Sequence, residues 1–232
     1  MVEGIAVARA FHHQQLFFCG AGVVQRVHHV RVHKVVFRTV NEQHRHLGPG
    51  DLLQRGHLGK AISCPKLTVL THWHWDHTFG MHAVHGLCLA NERTNQYLAD
   101  FRKRLAAEGT AFFLGMDERI RREYSDNKPV IVSLADLVFR DEMLLDAGNC
   151  PIRVFQAEAP HTDDTTLVDV PGEKVLMLGD STCGALPDWI KDQGLADKLA
   201  QTVREINPEI CLLGHWTPLS AESIIQDLRE VS

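Results

Sequence analysis

The alternation of apolar and polar residues is regular only from about residue 66 onward. Short apolar runs bounded by turn residues predict strands, and they lie at 66–70, 87–90, 136–139, 143–145, 152–156, 165–170, 174–178 and 209–213. Apolar residues at helical spacing predict helices, which lie at 78–85, 91–108, 117–124, 187–206 and 221–231. Hairpins of strands followed by helices favour an α/β fold in which helices cover sheets, rather than a simple βαβ winding.

Residues 1–60 differ from the rest of the chain in composition. They hold eight of the fifteen histidines, and eight Lys/Arg against only three Asp/Glu. Their apolar pieces have weak periodicity, so we predict an atypical and irregular N-terminal segment before a main domain at 61–232. One explanation is a diverged N-terminal sheet, and the other is that this stretch comes from a different reading frame. The composition favours the second.

Length and charge limit the classes of function. A chain of 232 residues suits one large domain or two small ones. The net charge of −5 argues against a dedicated nucleic-acid or membrane-surface protein. No run of about 18 apolar residues predicts a membrane span, and the first residues lack the layout of a signal peptide. We therefore expect a cytoplasmic protein that acts on a small molecule, with no nucleic-acid or membrane partner.

The sequence THWHWDH at 71–77 crowds metal-binding side chains directly after a predicted strand. His72, His74 and Asp76 are spaced two apart, so an extended backbone aims them to the same side, while His77 points elsewhere. One stretch can thus serve two adjacent metal ions. Imidazole and carboxylate ligands favour zinc, with iron or manganese as alternatives.

The pattern H-x-H-x-D-H after an apolar strand resembles the signature of the metallo-β-lactamase-fold hydrolases. Three further residues complete the resemblance in the expected order, each after a predicted strand: His161 in EAPHTDDT, Asp180 in LMLGDST and His215 in CLLGHWTP. The resemblance covers about residues 66–220. It implies a four-layer αβ/βα sandwich with the site at one edge of two sheets, although residues 1–60 do not show the usual first strands. The helical insertion at 91–125 is this chain's distinctive feature.

The resemblance also implies a role for each residue. His72, His74 and His161 would bind a first divalent ion, Asp76, His77 and His215 would bind a second, and Asp180 would bridge both. Two such ions about 3.5 to 4 Å apart share a bridging water, lower its pKa to near 7 and direct the resulting hydroxide at a carbonyl carbon or phosphorus. Asp76 and Asp180 are the candidate catalytic residues, because either carboxylate could pass a proton to the leaving group.

The substrate is the most open question, since one fold hosts many functions. An aspartate at 180 resembles the thioesterase, lactonase and phosphodiesterase branches, whereas the best-known β-lactamases have a cysteine there. We therefore predict a zinc-dependent dinuclear hydrolase of a small-molecule ester, thioester or lactone, and not a true β-lactamase. A phosphodiesterase is the alternative, which a pocket lined by the basic run at 119–122 would support. A third interpretation is a non-catalytic metal-binding domain, crippled by its N-terminal segment.

Several side chains beside the predicted ligands have weaker assignments. Asp163 and Asp164 either orient ligand imidazoles as hydrogen-bond acceptors or cap the turn that follows. Trp73, Trp75 and Trp216 are expected to pack around the site rather than stack on a substrate.

Overall fold

The computed structural model describes residues 14–19, 34–39, 67–84, 86–126, 128–147 and 150–229. The strands are β1 (Gln14–Cys19), β2 (Lys34–Thr39), β3 (Leu67–Val69), β4 (Leu87–Asn91), β5 (Leu137–Phe139), β6 (Glu142–Asp146), β7 (Pro151–Gln156), β8 (Thr166–Val170), β9 (Val175–Gly179) and β10 (Ile210–Leu213). The helices are α1 (Trp75–Thr78), α2 (Glu92–Glu108), α3 (Ala111–Leu114), α4 (Glu118–Glu123), α5 (Gln193–Ile206) and α6 (Ala221–Arg229), with 3₁₀ turns at Phe79–Ala83 and Pro171–Glu173.

Two sheets carry the described core. Strands β3, β4 and β5 form a parallel sheet in that order. The second sheet has the order β10-β9-β8-β7-β6, in which only β10 and β9 are parallel neighbours. Strands β1 and β2 pair antiparallel, and β1 lies beside β3.

Side-chain alternation along the strands sorts the core into three apolar clusters. In β4, Leu89 packs between the sheets, whereas Cys88 and Ala90 face the cluster under α2, α3 and α4. In β9, Met177 packs between the sheets and its neighbour Leu176 faces α5 and α6. Because neighbouring strand residues point to opposite faces, each sheet is covered on both sides. The result is the predicted order of helix, sheet, sheet and helix, so the four-layer sandwich is confirmed.

Helix α2 shows how the sequence sets these boundaries. The side chain of Asn91 accepts a hydrogen bond from the backbone N–H of Arg93, which caps the first turn. Gly109 ends the helix at a φ of 74°, a conformation that costs glycine little. Leu98 is fully buried, while Phe101 and Leu105 are partly buried against the same cluster. The helix predicted at 91–108 is therefore confirmed.

The structure corrects two of the predicted helices, adds one helix and limits a further prediction. In place of a helix that begins at residue 78, helix α1 ends at Thr78 and a 3₁₀ turn follows at Phe79–Ala83. The helix predicted from residue 187 begins at Gln193, because Asp192 caps it through Leu195 N–H and the preceding residues form a bridged turn. Helix α3 was not predicted. In the segment predicted as irregular, the described residues form β1 and β2, and the rest of that prediction lies outside the described residues. Every helix in the described part of the chain is too short or too polar to span a membrane.

Candidate metal centre

All of the predicted ligands lie at one edge of the two sheets. His72 and His74 follow β3, Asp180 follows β9 directly, and His215 comes two residues after β10. His161 lies in the loop that leaves β7, whose direction matches that of β9 because both are antiparallel to β8. The backbone N–H of Thr166 donates to Thr71 O at 2.7 Å and ties the two sheets together at this edge. The strand ends therefore bring the predicted ligands, from His72 to His215, to one place.

Three imidazoles form what we call the three-histidine cluster: His72, His74 and His161. Nδ1 of His74 lies 3.0 Å from Nε2 of His72 and 3.0 Å from Nε2 of His161. Nδ1 of His161 lies 2.8 Å from Gly184 O. A carbonyl oxygen only accepts, so this Nδ1 carries the proton and Nε2 of His161 presents a lone pair to the cluster. The three side chains thus point one nitrogen each at a common centre.

A second group, the mixed cluster, contains Asp76, His77, Asp180 and His215. Oδ2 of Asp180 lies 2.9 Å from Nε2 of His215 and 3.3 Å from Nε2 of His77. Oδ2 of Asp76 lies 3.4 Å from Nε2 of His215 and 3.5 Å from Nε2 of His77. The two imidazole nitrogens are 3.1 Å apart. Two carboxylates and two imidazoles therefore share one small volume.

The two clusters are neighbours. The rings of His72 and His77 have centroids 4.1 Å apart. Ligand atoms of His72, His77 and Asp180 also lie within 4.8 Å of one another, in addition to the triads His72–His74–His161 and Asp76–His77–His215. Asp180 thus belongs to the mixed cluster and also lies near His72 of the three-histidine cluster.

Burial keeps the three-histidine cluster neutral. It lowers the pKa of His74 to about 3, with further lowering from the charge of His161. Burial is also the main cause that lowers the pKa of His72 and of His161. Neutral imidazole is the form that binds a metal. This cluster is therefore ready to accept a cation at neutral pH.

The mixed cluster is ionised instead. Burial alone would lower the pKa of His77, but the carboxylates of Asp180 and Asp76 raise it to about 10. Burial likewise opposes the charge of His215, whose pKa hydrogen bonds to Asp180 and Asp76 raise to about 9. Burial would raise the pKa of Asp76 and of Asp180, yet the charge of His77 and hydrogen bonds from His215 hold both well below the usual range. Without a metal, these groups are two ion pairs.

The donor set fits a pair of divalent ions. Zinc–nitrogen distances of about 2.0–2.1 Å in a tetrahedral site place ligand nitrogens roughly 3.3 Å apart, near the 3.0 Å between nitrogens of the three-histidine cluster. Oδ1 of Asp180 is buried and has no hydrogen-bond partner among the described residues. An unsatisfied buried carboxylate oxygen is costly, and a cation at the cluster would stabilise it. The residues present therefore fit the metals that the motif implies.

Gly214 makes room for the bridging carboxylate. A Cβ at this position would lie 2.1 Å from Oδ1 of Asp180 and 3.2 Å from Cε1 of His77. The backbone N–H of Gly214 donates to Gly179 O at 2.9 Å, which joins the ends of β10 and β9. Only glycine permits this approach without displacing Asp180.

Asp164 supports the ligand loops from behind, which corrects one alternative for this residue. Its carboxylate accepts hydrogen bonds from Thr94 Oγ1 at 2.7 Å, from Thr162 Oγ1 at 2.5 Å and from the backbone N–H of Trp73. Among the described residues it contacts no ligand imidazole. Asp163 is exposed and bonds instead to Arg93 and Tyr97. Asp164 thus connects α2, the loop of His72 and His74, and the loop of His161.

The helical insertion packs against the ligand loop. The ring of Trp73 lies 5.7 Å from Tyr97, and the ring of Trp75 lies 6.3 Å from Phe113 and 6.4 Å from Tyr124. Both tryptophans are partly buried, which agrees with the packing role predicted for them. Trp216 differs, because it is 51% exposed while its ring meets His215 edge to face.

A sequence model of the metallo-beta-lactamase superfamily matches residues 26–215. The chain belongs to this superfamily. The matched range extends upstream of the 66–220 span over which the motifs alone carry the resemblance. Members of the superfamily are generally hydrolases that bind divalent metals, and the clusters at the sheet edge are candidate metal-binding groups of that kind.

Solved structures share the fold at low sequence identity. The metallo-beta-lactamase from Pontibacter korlensis has a TM-score of 0.52 and 18% identity, over 78% of this chain and 76% of that chain. DIM-1 metallo-beta-lactamase has a TM-score of 0.52 and 18% identity, over 79% and 77%. VMB-1 has a TM-score of 0.51 and 15% identity, over 76% and 71%. No curated protein matches this sequence.

Two residues at the site were not predicted, although the sequence holds a weak indication of each. Gly214 directly precedes His215, but a glycine after a strand usually indicates only a turn. Trp189 was placed in the helix predicted from residue 187, whereas its ring lies 6.0 Å from that of His161 at an interplanar angle of 24°. The turn residues at 184–187 are the signal that could have separated it from the helix.

Proposed function

We propose that this protein is a dinuclear, zinc-dependent hydrolase that cleaves a small-molecule ester, thioester or lactone. The observation that carries the proposal is the convergence of seven nitrogen and carboxylate ligands in two adjacent clusters. His72, His74 and His161 would hold one ion, Asp76, His77 and His215 the other, and Asp180 would contact both. Bound divalent ions would supply Lewis acidity and lower the pKa of water.

The protein's own residues account for orientation and proton transfer. Gly184 O and the hydroxyl of Thr71, 3.1 Å from Nδ1 of His72, hold imidazole rings in place. Asp180 is deeply buried, whereas the side chain of Asp76 is 31% exposed. We assign proton transfer to Asp76, because its ionised carboxylate can accept a proton from the attacking water and then donate it to the leaving group, and because its side chain borders solvent.

No serine or cysteine nucleophile is needed, and Cys183 is unsuited to that role. Burial is the largest of the causes that raise the pKa of its thiol to about 12, and the charge of Asp180 adds to it. A thiol with such a pKa is almost entirely protonated at neutral pH. Asp180 lies three residues before this cysteine and belongs to the mixed cluster. An aspartate at this place agrees with the branches of the superfamily in which an aspartate bridges the two ions.

The test is a hydrolysis panel on protein loaded with zinc, iron or manganese. It should contain 4-nitrophenyl acetate, γ-butyrolactone, an acyl thioester and bis(4-nitrophenyl) phosphate. We expect turnover of at least one carboxylic substrate, which the His161→Ala and Asp180→Ala variants abolish. Preferential cleavage of the phosphodiester would replace the proposed substrate class with the alternative one. Full metal loading without any turnover would support the non-catalytic metal-binding domain instead.

A further inference from the structure

An exposed tryptophan lies on the rim of the three-histidine cluster. The indole of Trp189 stacks on the ring of His161, and the guanidinium carbon of Arg119 lies 5.8 Å from the centre of that indole. Trp189 is 47% exposed. A half-exposed indole therefore lies within contact range of both an imidazole of the cluster and a cation.

The backbone of the loop that carries the indole is tightly constrained. Ala185 and Ile190 form a β-bridge, with the N–H of Ala185 donating to Ile190 O at 2.9 Å. Gly184 lies so close that a Cβ there would be 1.9 Å from Trp189 O. Trp189 itself has a φ of 58°, which is rare and strained for a bulky side chain. Such strain persists only where the surroundings hold the residue, so the backbone that carries the exposed ring is held in one place.

Arg119 is oriented with part of its guanidinium available. Asp117 accepts from Nη2 at 2.8 Å and from Nε at 3.1 Å, which fixes one edge of the group. Nη1 donates no hydrogen bond to any described residue, and the side chain is 64% exposed. Hydrogen bonding to Asp117 is the main cause that raises the pKa of Arg119, and the charge of Asp76 adds to it. The guanidinium therefore lies within electrostatic reach of the mixed cluster.

Among the described contacts, the other basic residues of the same helix have no aromatic ring beside them as Arg119 does. Arg122 donates to Glu118 at 2.9 Å in an exposed pair one turn apart. Nothing in the described structure stacks it on an aromatic ring. Arg119 is the residue of the basic run at 119–122 that meets the rim of the site.

We propose that Arg119 and Trp189 select substrates in which a carboxylate is attached to a flat apolar group near the scissile bond. The flat group would pack on the indole and the carboxylate would accept hydrogen bonds from Nη1 of Arg119, a charge-assisted contact of the strong kind. This inference rests on the proposed hydrolase function and narrows its substrate class. It also gives the helical insertion a direct part in recognition, since Arg119 belongs to α4.

Binding provides a test that does not depend on turnover. Calorimetry on zinc-loaded protein would compare 4-hydroxybenzoate with 4-hydroxybenzamide, which differ only in the charged group. We expect the carboxylate to bind about tenfold more tightly to the wild type, and Arg119→Gln to reduce that ratio to near one. The matched control, Arg122→Gln, should keep the ratio. Trp189→Ala should weaken both probes and leave the ratio unchanged.

Hydrolysis separates this inference from the function on which it rests. The substrates would be 4-acetoxybenzoate and 4-acetoxybenzamide, with kcat/KM measured for the same variants. A binding ratio that depends on Arg119, without turnover of either ester, would support the recognition site and count against the hydrolase. Turnover with an equal preference in wild type and Arg119→Gln would support the hydrolase and overturn the inference. An unchanged binding ratio in Arg119→Gln would also overturn it.

Discussion

The two clusters at the sheet edge are both candidate metal sites, but their electrostatics differ. The three-histidine cluster is neutral, because burial lowers the pKa of each imidazole. The mixed cluster is charged, because its carboxylates and imidazoles stabilise each other's ionised forms in the metal-free protein. The imidazoles of the three-histidine cluster can bind a cation without losing a proton. The imidazoles of the mixed cluster must release protons before they can bind a cation.

One short motif contributes residues to two clusters of unlike charge. His74 and His77 are three residues apart, yet the first points into a shell of imidazoles and the second into a shell of carboxylates. The separation arises from the change from extended backbone to helix α1, whose first residue is Trp75. Asp180 lies at the boundary between the two clusters, and its removal should have the largest effect on metal binding and hydrolysis.

The largest effect is expected for Asp180→Ala. Loss of this carboxylate leaves His77 and His215 with fewer anionic partners and removes the contact shared between the clusters. Because changes to residues that only support ligands cost 10–100-fold in affinity or activity, we expect more than about a 100-fold loss of hydrolysis. Elemental analysis should show that one ion per chain is kept by the three-histidine cluster. Asp100→Ala, an exposed helix position, serves as the control, and equal losses in both variants would contradict the assignment.

The second prediction concerns pH. His77 and His215 have pKa values of about 10 and about 9 without metal, so both must lose a proton when an ion binds. Affinity for the second ion should therefore rise with pH up to about 9, by as much as roughly 100-fold per pH unit for two protons. Affinity for the first ion should change little between pH 6 and 8, because its imidazoles are already neutral.

Zinc titration by calorimetry at several pH values, in buffers of different ionisation enthalpy, would count the released protons for each ion. Equal pH slopes for the two ions would contradict the contrast between the clusters.

A smaller effect is expected for Gly214→Ala. The added methyl group would collide with Oδ1 of Asp180, so that carboxylate must move. We expect about tenfold weaker binding of the second ion and a loss of about 1–3 kcal/mol in the free energy of unfolding. Gly172→Ala is the matched control, since a Cβ there meets nothing within 4 Å. If both variants bind two ions like the wild type, close packing at Gly214 does not shape the site.

The smallest effect is expected for Thr94→Val. This change keeps the side-chain shape but removes the hydroxyl that donates to buried Asp164 at 2.7 Å. We expect the free energy of unfolding to fall by about 1–2 kcal/mol, with both ions still bound. Urea denaturation would measure the fall. Thr202→Val is the control, because Thr202 is a half-buried helix position whose hydroxyl donates only to Lys198 O of the same helix. A similar fall in that variant would deny Thr94 a special role.

Much of the fold and the seven residues of the two clusters could be predicted because their signals are local. Strand ends, the density of ligand-type side chains at 72–77 and the cap at Asn91 can be read within a few residues of sequence. The orientation predicted from the two-residue spacing was wrong for Asp76, because this residue lies in helix α1 and joins His77 in the mixed cluster. The contact of Thr94 with Asp164 joins positions 70 residues apart, and no local pattern indicates it. Trp189 was assigned to a helix because the residues after it have helical spacing, whereas a bridge and a positive φ decide its conformation.

The most direct test of the dinuclear centre is the metal content per chain, measured by elemental analysis of protein purified without a histidine tag and without added metal. We expect about two zinc, iron or manganese ions per wild-type chain and about one in His77→Ala, where the three-histidine cluster remains. Metal content near zero in the wild type, with no uptake when zinc is added, would show that the seven ligands do not form a dinuclear centre.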